Sequence, residues 1–148
     1  MLFESQQDQQ NEQAVASRFV EWLKAKKNLH RSFNKLEGLS PIDYAICSGR
    51  TVTSWLECKV RKFDSQQYHS VMIDQRKLVE LLEFASWTIC PVYLATLYSD
   101  GNLFLYRVGP DWRKDILEVR WLKRTNPRWS LDNKPVVLLN KDAFIPIR

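Results

Sequence analysis

The sequence predicts an α/β fold, in which helices flank a mixed β-sheet in the order helix, two strands, helix, strand. Apolar residues recur with helical spacing near the N-terminus and again in the middle of the chain. Two β-prone runs lie between these helical patterns, and a third, almost continuously apolar, follows the second pattern. The 148 residues suffice for one domain with a buried core. No repeat or linker divides the chain, so we expect a single domain over residues 1–148.

The first helix is predicted over residues 12–23. Its apolar residues follow the spacing of one helical face, and they are Val15, Phe19, Trp22 and Leu23. Residues 1–10 are mostly polar and rich in glutamine, so we expect them to fray.

A β-hairpin follows, with strands predicted over residues 42–47 and 52–60. Side chains alternate between the two faces of a strand, so Asp43, Glu57 and Lys59 lie opposite the apolar residues of their strands. Residues paired across a hairpin point to the same face, and the two residue numbers of every pair have the same sum. Asp43 and Glu57 therefore share a face only if that sum is even. A three-residue loop meets this condition, whereas a two-residue turn without a bulge does not.

A second helix, beginning at residue 70 or 74 and ending at residue 86, connects the hairpin to a central strand over residues 88–98. This order predicts a right-handed parallel crossover beside the strand that carries Glu57. A turn then leads into a further strand over residues 103–108. The remaining residues, 107–148, are expected to form an irregular, basic and tryptophan-rich extension packed on the core.

The net charge of +5 comes from the C-terminal segment. Residues 107–148 contain ten Lys and Arg against five Asp and Glu, whereas residues 1–106 contain twelve of each. This segment is therefore the candidate contact surface for a polyanion, and a solvated basic surface is the alternative.

Composition argues against several other classes of protein. There is no run of 18 or more apolar residues and no signal-peptide pattern, so we expect a soluble, cytoplasmic protein without a membrane partner. Cys47, Cys58 and Cys90 lie far apart in apolar runs, without Cys-x-x-Cys spacing. They are expected to be buried thiols and not a disulfide or a zinc site.

The segment Glu57-Cys58-Lys59 is the most informative part of the sequence. A carboxylate and an ammonium two residues apart on a strand share one face, so a metal ligand lies beside a fixed cation. Asp43 can supply a second carboxylate. One or two carboxylates plus substrate phosphate oxygens commonly hold hydrated Mg²⁺ in phosphodiester hydrolysis. These residues are therefore candidates for a metal-dependent hydrolytic site.

This arrangement resembles the PD-(D/E)XK nuclease superfamily, which includes restriction endonucleases, Holliday-junction resolvases and phage exonucleases. Pro41-Ile42-Asp43 is similar to the Asp motif, with one residue inserted between Pro and Asp, and Glu57-Cys58-Lys59 is similar to the (D/E)XK motif. The resemblance covers residues 12–106.

Further residues match less constant features of the superfamily. Glu12 lies where a first-helix Glu is frequent, and Gln75 and Lys77 lie where a Gln or Lys of the second helix is common. For Glu12, a favourable position near a helix N-terminus is an equally good interpretation.

The resemblance implies a Mg²⁺-dependent deoxyribonuclease, in which Mn²⁺ is expected to substitute and an endonuclease is favoured over an exonuclease. Asp43, Glu57 and the backbone carbonyl of Cys58 would bind one or two metal ions, and Glu12 would complete the shell through water. Lys59 would orient the attacking water or balance charge in the transition state. Gln75 or Lys77 would hold the water or a neighbouring phosphate.

DNA is the implied partner, in a form that the sequence leaves open. We expect phosphate contacts from Lys62 and from the basic C-terminal segment, whose candidate residues are Arg113, Lys114, Arg120, Lys123, Arg124 and Arg128. The resemblance is also compatible with a homodimer and with a phage or mobile-element protein acting in a host cytoplasm.

Two other functions stay open on the sequence. The same fold could bind nucleic acid or serve in assembly without cleaving. Alternatively, the C-terminal face rich in Trp and Arg could dock a protein partner, since both residue types are enriched at interface hot spots.

Overall fold

A computed structural model of the chain describes residues 6–38, 40–123 and 133–147. Within these residues it contains two α-helices, nine β-strands and two short 3₁₀ helices. The α-helices and strands are α1 (Gln6–Lys27), β1 (Ser32–Lys35), β2 (Tyr44–Ser48), β3 (Thr51–Val60), β4 (Ser70–Asp74), α2 (Gln75–Trp87), β5 (Val92–Leu97), β6 (Leu103–Val108), β7 (Ile116–Lys123), β8 (Asn133–Asn140) and β9 (Ile145–Ile147).

The described strands form a larger and a smaller sheet. The larger has the order β1-β2-β3-β5-β6-β9 and the smaller the order β4-β8-β7. In the larger sheet β3 and β5 run parallel, and the other neighbouring strands are antiparallel. The predicted mixed α/β fold and the crossover from β3 through α2 to β5 are confirmed.

Apolar side chains cover both faces of the larger sheet. On one face Val15 and Phe19 of α1 pack in a cluster with Leu56 and Cys58 of β3. On the other face α2 and the smaller sheet pack against β5 and β6 in a second cluster. Each fully buried Leu or Phe contributes roughly 1.5–3 kcal/mol, so these two clusters hold β3 between apolar layers.

The hairpin of β2 and β3 contains a bulge that fixes its register. Near the turn Ser48 pairs with Thr51, so two residues, Gly49 and Arg50, connect the strands. Gly49 has φ of 60°, which suits the first central position of such a turn. The register shifts between the Ile46 and Cys47 pairs. On the side of this shift away from the turn, the two residue numbers of every pair sum to an even number.

Thr53 is the extra residue of this bulge. Its hydroxyl donates a hydrogen bond of 3.1 Å to the carbonyl of Ile46, so the side chain closes the gap in the ladder. Tyr44 consequently pairs with Leu56, and Asp43 falls opposite Glu57. The register required by the sequence is therefore present, although a bulge produces it and not a three-residue loop.

The helix boundaries differ from those predicted. Helix α1 begins at Gln6, so residues 6–10, expected to fray, are helical, while residues 1–5 lie outside the described part. Glutamine has good helix propensity, and Asp8 lies in the first turn, where a negative charge favours the helix. Helix α2 begins at Gln75, after the strand β4.

Where the C-terminal segment is described, at residues 107–123 and 133–147, it forms strands and is not an irregular extension. Strands β7 and β8 complete the smaller sheet, and β9 adds to the edge of the larger one. Charged and apolar side chains alternate in β7, as they do in a strand. Composition alone does not distinguish this alternation from irregular structure. In the described residues no helix is both long and apolar enough to cross a membrane.

Deleting Thr53 is expected to destabilise the domain, because it removes the bulge on which the register of β3 depends. Without the extra residue the two faces of β3 would exchange, so that Leu56 would leave the cluster under α1 and the Glu57 carboxyl group would enter it, at a cost of several kcal/mol. Urea unfolding followed by circular dichroism should show this loss. One glycine inserted after Arg50 alters the turn but keeps the bulge, and should cost much less. Equal losses in the two variants would contradict the role of the bulge.

Candidate active site

Asp43 and Glu57 meet where the β2–β3 ladder ends. Asp43 immediately precedes β2, and its Oδ2 accepts a hydrogen bond of 2.8 Å from the backbone N–H of Cys58. This bond anchors one carboxylate oxygen of Asp43 to the residue that follows Glu57. The negative charge of Asp43 raises the pKa of Glu57, as expected for two neighbouring carboxylates.

The carboxyl group of Glu57 is almost completely buried. The residue is 3% exposed and faces α2, because its neighbours Leu56 and Cys58 point into the cluster under α1. Lys77, in the first turn of α2, places its Nζ 3.1 Å from Glu57 Oε2 and 3.1 Å from the carbonyl of Pro41. This ammonium ties β3, α2 and the segment before β2 together.

Burial raises the pKa of Glu57 from its ordinary value of 4.5 to about 8, and the charge of Asp43 adds to this effect. Lys77 and Lys59 act in the opposite direction, but they do not compensate for lost hydration. Glu57 in turn raises the pKa of Lys77. At neutral pH the carboxyl group therefore carries a proton in a substantial fraction of molecules, and a bound cation would favour releasing it.

Glu12 reaches this site through Lys35. The Nζ of Lys35 lies 2.7 Å from Glu12 Oε2 and 3.8 Å from Asp43 Oδ1. The ammonium also lies over the ring of Tyr44, 5.1 Å from its centroid. The structure thus places the Lys35 ammonium between the carboxylates of Glu12 and Asp43. Glu12 therefore contacts the predicted site only through Lys35.

Lys59 lies on the same face of β3 as Glu57. Its side chain is half-buried, and its ammonium makes no hydrogen bond or ion pair with any described residue. Burial raises the pKa of Glu57 and the charge of Lys59 opposes this rise, while Lys134 lowers the pKa of Asp74 with a smaller contribution from Lys59. Thr96 pairs with Lys59 across β3 and β5, and its buried hydroxyl has no hydrogen-bond partner among the described residues.

The smaller sheet borders the site on one side. Asp74, the N-cap of α2, accepts a hydrogen bond of 2.9 Å from the N–H of Arg76. Its other carboxylate oxygen lies 2.8 Å from Nζ of Lys134 in β8. Arg61, which follows β3, donates a hydrogen bond to the carbonyl of Met72 in β4. The Arg61 bond ties the end of β3 to the smaller sheet, whereas the Lys134 contact joins β4 to β8 within that sheet.

The two candidates on α2 are placed differently. Lys77 contacts Glu57 directly, whereas Gln75 is exposed at the first residue of the helix. Because Lys77 also donates to the carbonyl of Pro41 and lies 3.5 Å from Glu80 Oε2, it is held in place on three sides.

The basic residues predicted to contact DNA are spread over the surface. Lys62 is exposed three residues after Lys59. Arg113 and Lys114 lie in a 3₁₀ helix (Trp112–Asp115) whose Trp112 lines a groove with Ser86. Ser86 lies nine residues after Lys77, roughly 13 Å further along α2.

The other predicted DNA contacts lie in or after β7. The guanidinium of Arg120 contacts Glu118, with Nη2 2.6 Å from Oε2. Lys123 ends β7, and its side chain is outside the described part; so are Arg124 and Arg128.

The residues present fit a divalent cation. Glu57 Oε1 is buried and has no hydrogen-bond partner among the described residues, which leaves a carboxylate oxygen available for a ligand. Asp43 contributes a second carboxylate. The described residues contain no group of three His, Cys, Asp or Glu side chains arranged as a metal site. Remaining ligands would therefore be backbone carbonyl, water and phosphate oxygens, which is common for Mg²⁺.

Several residues of the site were not singled out from the sequence. Lys35 lies in the short strand β1, which is not among the strands predicted from the sequence. Lys134 lies in the segment expected to be irregular, and Thr53 looks like an ordinary strand residue. Alternation in Ser32-Phe33-Asn34-Lys35 is a weak signal for β1, and four residues are too few to establish it.

Comparison with known proteins gives one family and a remote structural similarity. Residues 1–137 match the model of a family described as "Phage putative PDDEXK endonuclease". The chain is also similar in structure to Hjc, a Holliday junction resolvase from the archaeal hyperthermophile Archaeoglobus fulgidus. The TM-score is 0.46 at 15% sequence identity, over 83% of this chain and 88% of that one. No curated protein matches the sequence.

Raising the pH is expected to lower the free energy of unfolding of the metal-free protein through Glu57. The pKa of this group is about 8 when folded against an ordinary 4.5, so folding takes up a proton between these values. The stabilisation is complete below about pH 4.5 and is lost as the pH rises through about 8, by up to several kcal/mol.

Urea unfolding of the wild type and Glu57→Gln between about pH 5 and pH 8 measures this effect. The difference in unfolding free energy, wild type minus variant, should fall as the pH rises. Glu80→Gln removes a more exposed carboxylate that also contacts Lys77, and its difference from the wild type should change little. A constant difference for Glu57→Gln would contradict the raised pKa.

Proposed function

Because the chain belongs to the family of phage PDDEXK endonucleases, we propose that it hydrolyses DNA phosphodiester bonds with Mg²⁺ held by Asp43 and Glu57. One observation carries this proposal: two carboxylates converge beside a lysine with no partner in the described structure, and one buried oxygen of Glu57 accepts no hydrogen bond there. A Glu with only a structural role in this position would lower the stability of the fold, since burial raises its pKa to about 8.

Mg²⁺ bound here would polarise the scissile phosphate and lower the pKa of the attacking water. Asp43 and Glu57 supply the negative charge that attracts the cation, and the Cys58 N–H fixes the orientation of Asp43. The carbonyl of Cys58 is proposed as a further ligand. Glu12 acts at a distance, by holding the Lys35 ammonium next to Asp43.

The two lysines near Glu57 have different proposed roles. Lys59 makes no ion pair with the described residues, so its ammonium can orient water or stabilise the charge that develops on the phosphate. Lys77 is engaged by Glu57, Glu80 and the Pro41 carbonyl. It keeps the buried carboxylate in position, and its partly exposed ammonium can also reach a phosphate oxygen.

DNA is proposed to lie across the side of the molecule where Lys59, Lys62 and Lys134 are found. These residues come from β3, the loop after it and β8, so both sheets contribute positive charge around Glu57. Such contacts would give affinity that depends on salt and little on sequence.

A binding module without cleavage is the second candidate, and the position of Lys77 favours it. An ammonium 3.1 Å from Glu57 Oε2 balances part of the charge that a metal would otherwise balance. The two candidates differ in whether the site takes up a divalent ion.

Substitutions at Asp43 and Lys59 should separate metal binding from cleavage. Asp43→Asn removes a ligand charge, so Mn²⁺ affinity measured by calorimetry should fall at least tenfold and cleavage should be lost. Lys59→Ala should retain Mn²⁺ binding and most of the DNA affinity, because the other lysines of this surface remain, while abolishing cleavage. The substrates would be linear, circular, branched and single-stranded DNA in Mg²⁺ or Mn²⁺.

Several outcomes would contradict the proposal. If the wild type bound DNA but no Mn²⁺, the binding module would be the better description. An unchanged Mn²⁺ isotherm for Asp43→Asn would remove Asp43 from the site. Equal losses of DNA affinity and cleavage in Lys59→Ala would indicate a binding role for that lysine.

Neutralising Lys62 is expected to reduce the salt dependence of DNA binding, whereas neutralising Lys114 should not. One lost phosphate contact lowers the slope of log K against log salt by about 1. Lys62→Gln and Lys114→Gln remove the same charge, but Lys114 is two residues after Trp112, which lines the groove with Ser86 at the end of α2 far from Lys77. Fluorescence anisotropy at several salt concentrations would measure both slopes. A larger change for Lys114→Gln would place the DNA on the opposite side.

A further inference from the structure

Strand β7 has an unusual position for a long strand with apolar side chains. It forms the edge of the smaller sheet, with β8 on one side and no described strand on the other. Its eight residues, Ile116–Lys123, therefore present backbone N–H and C=O groups on the open side, without a pairing partner in the described structure. Such an edge is a template for pairing with another strand.

The side chains of β7 do not protect this edge. Large apolar residues are exposed along it, and Trp121 is 70% exposed. The others are Leu117, Val119 and Leu122. Edge strands of monomeric proteins are usually shielded by inward-pointing charges, proline or a covering loop. Among the described residues β7 has no proline, and a bulge at its start leaves the rest of the strand regular.

The two charges of β7 favour one particular partner. Glu118 and Arg120 are two residues apart and share a face on either side of Val119. In an antiparallel pair of identical strands centred on Val119, Glu118 of each copy lies opposite Arg120 of the other. Moving the centre by one residue, to Glu118 or Arg120, would place two like charges directly opposite each other, which is unfavourable.

We propose that two copies of this chain form a symmetric dimer by antiparallel pairing of β7 with β7, centred on Val119. The two smaller sheets then join into one continuous sheet across a two-fold axis. The pairing satisfies the open backbone groups, covers Val119 and brings Trp121 close to Leu117 of the other copy. The Glu118–Arg120 ion pair within each chain, at 2.6 Å, is exchanged for a pair between the chains, so the dimer has two such pairs before and after.

Charge reversal tests this register without reference to DNA or metal. Arg120→Glu and Glu118→Arg each place like charges opposite one another, so each variant alone should be monomeric by sedimentation velocity where the wild type is dimeric. Mixed in equal amounts, the two variants become complementary and should form a heterodimer. The double variant Glu118→Arg/Arg120→Glu is complementary to itself and should dimerise again.

Two controls keep the result specific. Arg113→Glu makes the same change in charge at an exposed site outside β7 and should remain dimeric. Circular dichroism of the single variants should match the wild type, and the double variant provides the test if either single variant fails to fold.

A monomeric wild type at about 100 µM would overturn the proposal. So would single variants that stay dimeric, or a mixture that stays monomeric. Since mass is measured without DNA or divalent ions, loss of this dimer leaves the nuclease proposal intact, and a failed cleavage assay leaves the dimer intact.

Discussion

Burial of the Glu57 carboxyl group beside Asp43 is the constraint on which the rest of the site depends. A carboxylate in this environment has lost its hydration and is repelled by its neighbour, so its pKa rises to about 8. The protein offsets part of this cost with the ammonium of Lys77, which is itself held by the Pro41 carbonyl. A divalent cation at the proposed site would replace the proton on Glu57 and offset the cost that remains.

The two faces of β3 have different roles, because a different layer of structure covers each of them. Leu56 and Cys58 pack under α1 and supply stability, while Glu57 and Lys59 face α2 and the smaller sheet. Because α2 begins directly after Asp74, the crossover delivers Lys77 to Glu57 within the first helical turn. The Arg61 bond then ties the smaller sheet to the end of β3. The site is thus assembled where three layers of structure meet.

Much of this arrangement follows from local periodicity, and the remainder depends on pairings that periodicity does not encode. The period of two placed Glu57 and Lys59 on one face, and helical spacing identified α1 and α2. The position of Asp43 relative to Glu57 depends on one extra residue, Thr53, whose type does not distinguish a bulge from a regular strand. Strand β1 and the C-terminal strands are held by hydrogen bonds to residues distant in the sequence, so β1 was not predicted and composition suggested an irregular extension. Predicting the contact between Lys77 and Glu57 requires the first residue of α2. The sequence leaves residues 70 and 74 open as that start, and in the structure the helix begins at Gln75.

The thiol of Cys58 has a consequence for how this sequence can vary. Its Sγ lies 3.9 Å from the carbonyl of Glu12 in α1, and burial raises its pKa well above the ordinary range. The middle residue of the motif therefore belongs to the hydrophobic interior, although both of its neighbours belong to the polar face. Evolution can exchange it for another small apolar residue by the rules of interior packing alone. A bulky replacement would instead displace α1, and with it the Glu12–Lys35 bridge, so selection on catalysis would reach this position indirectly through the first helix.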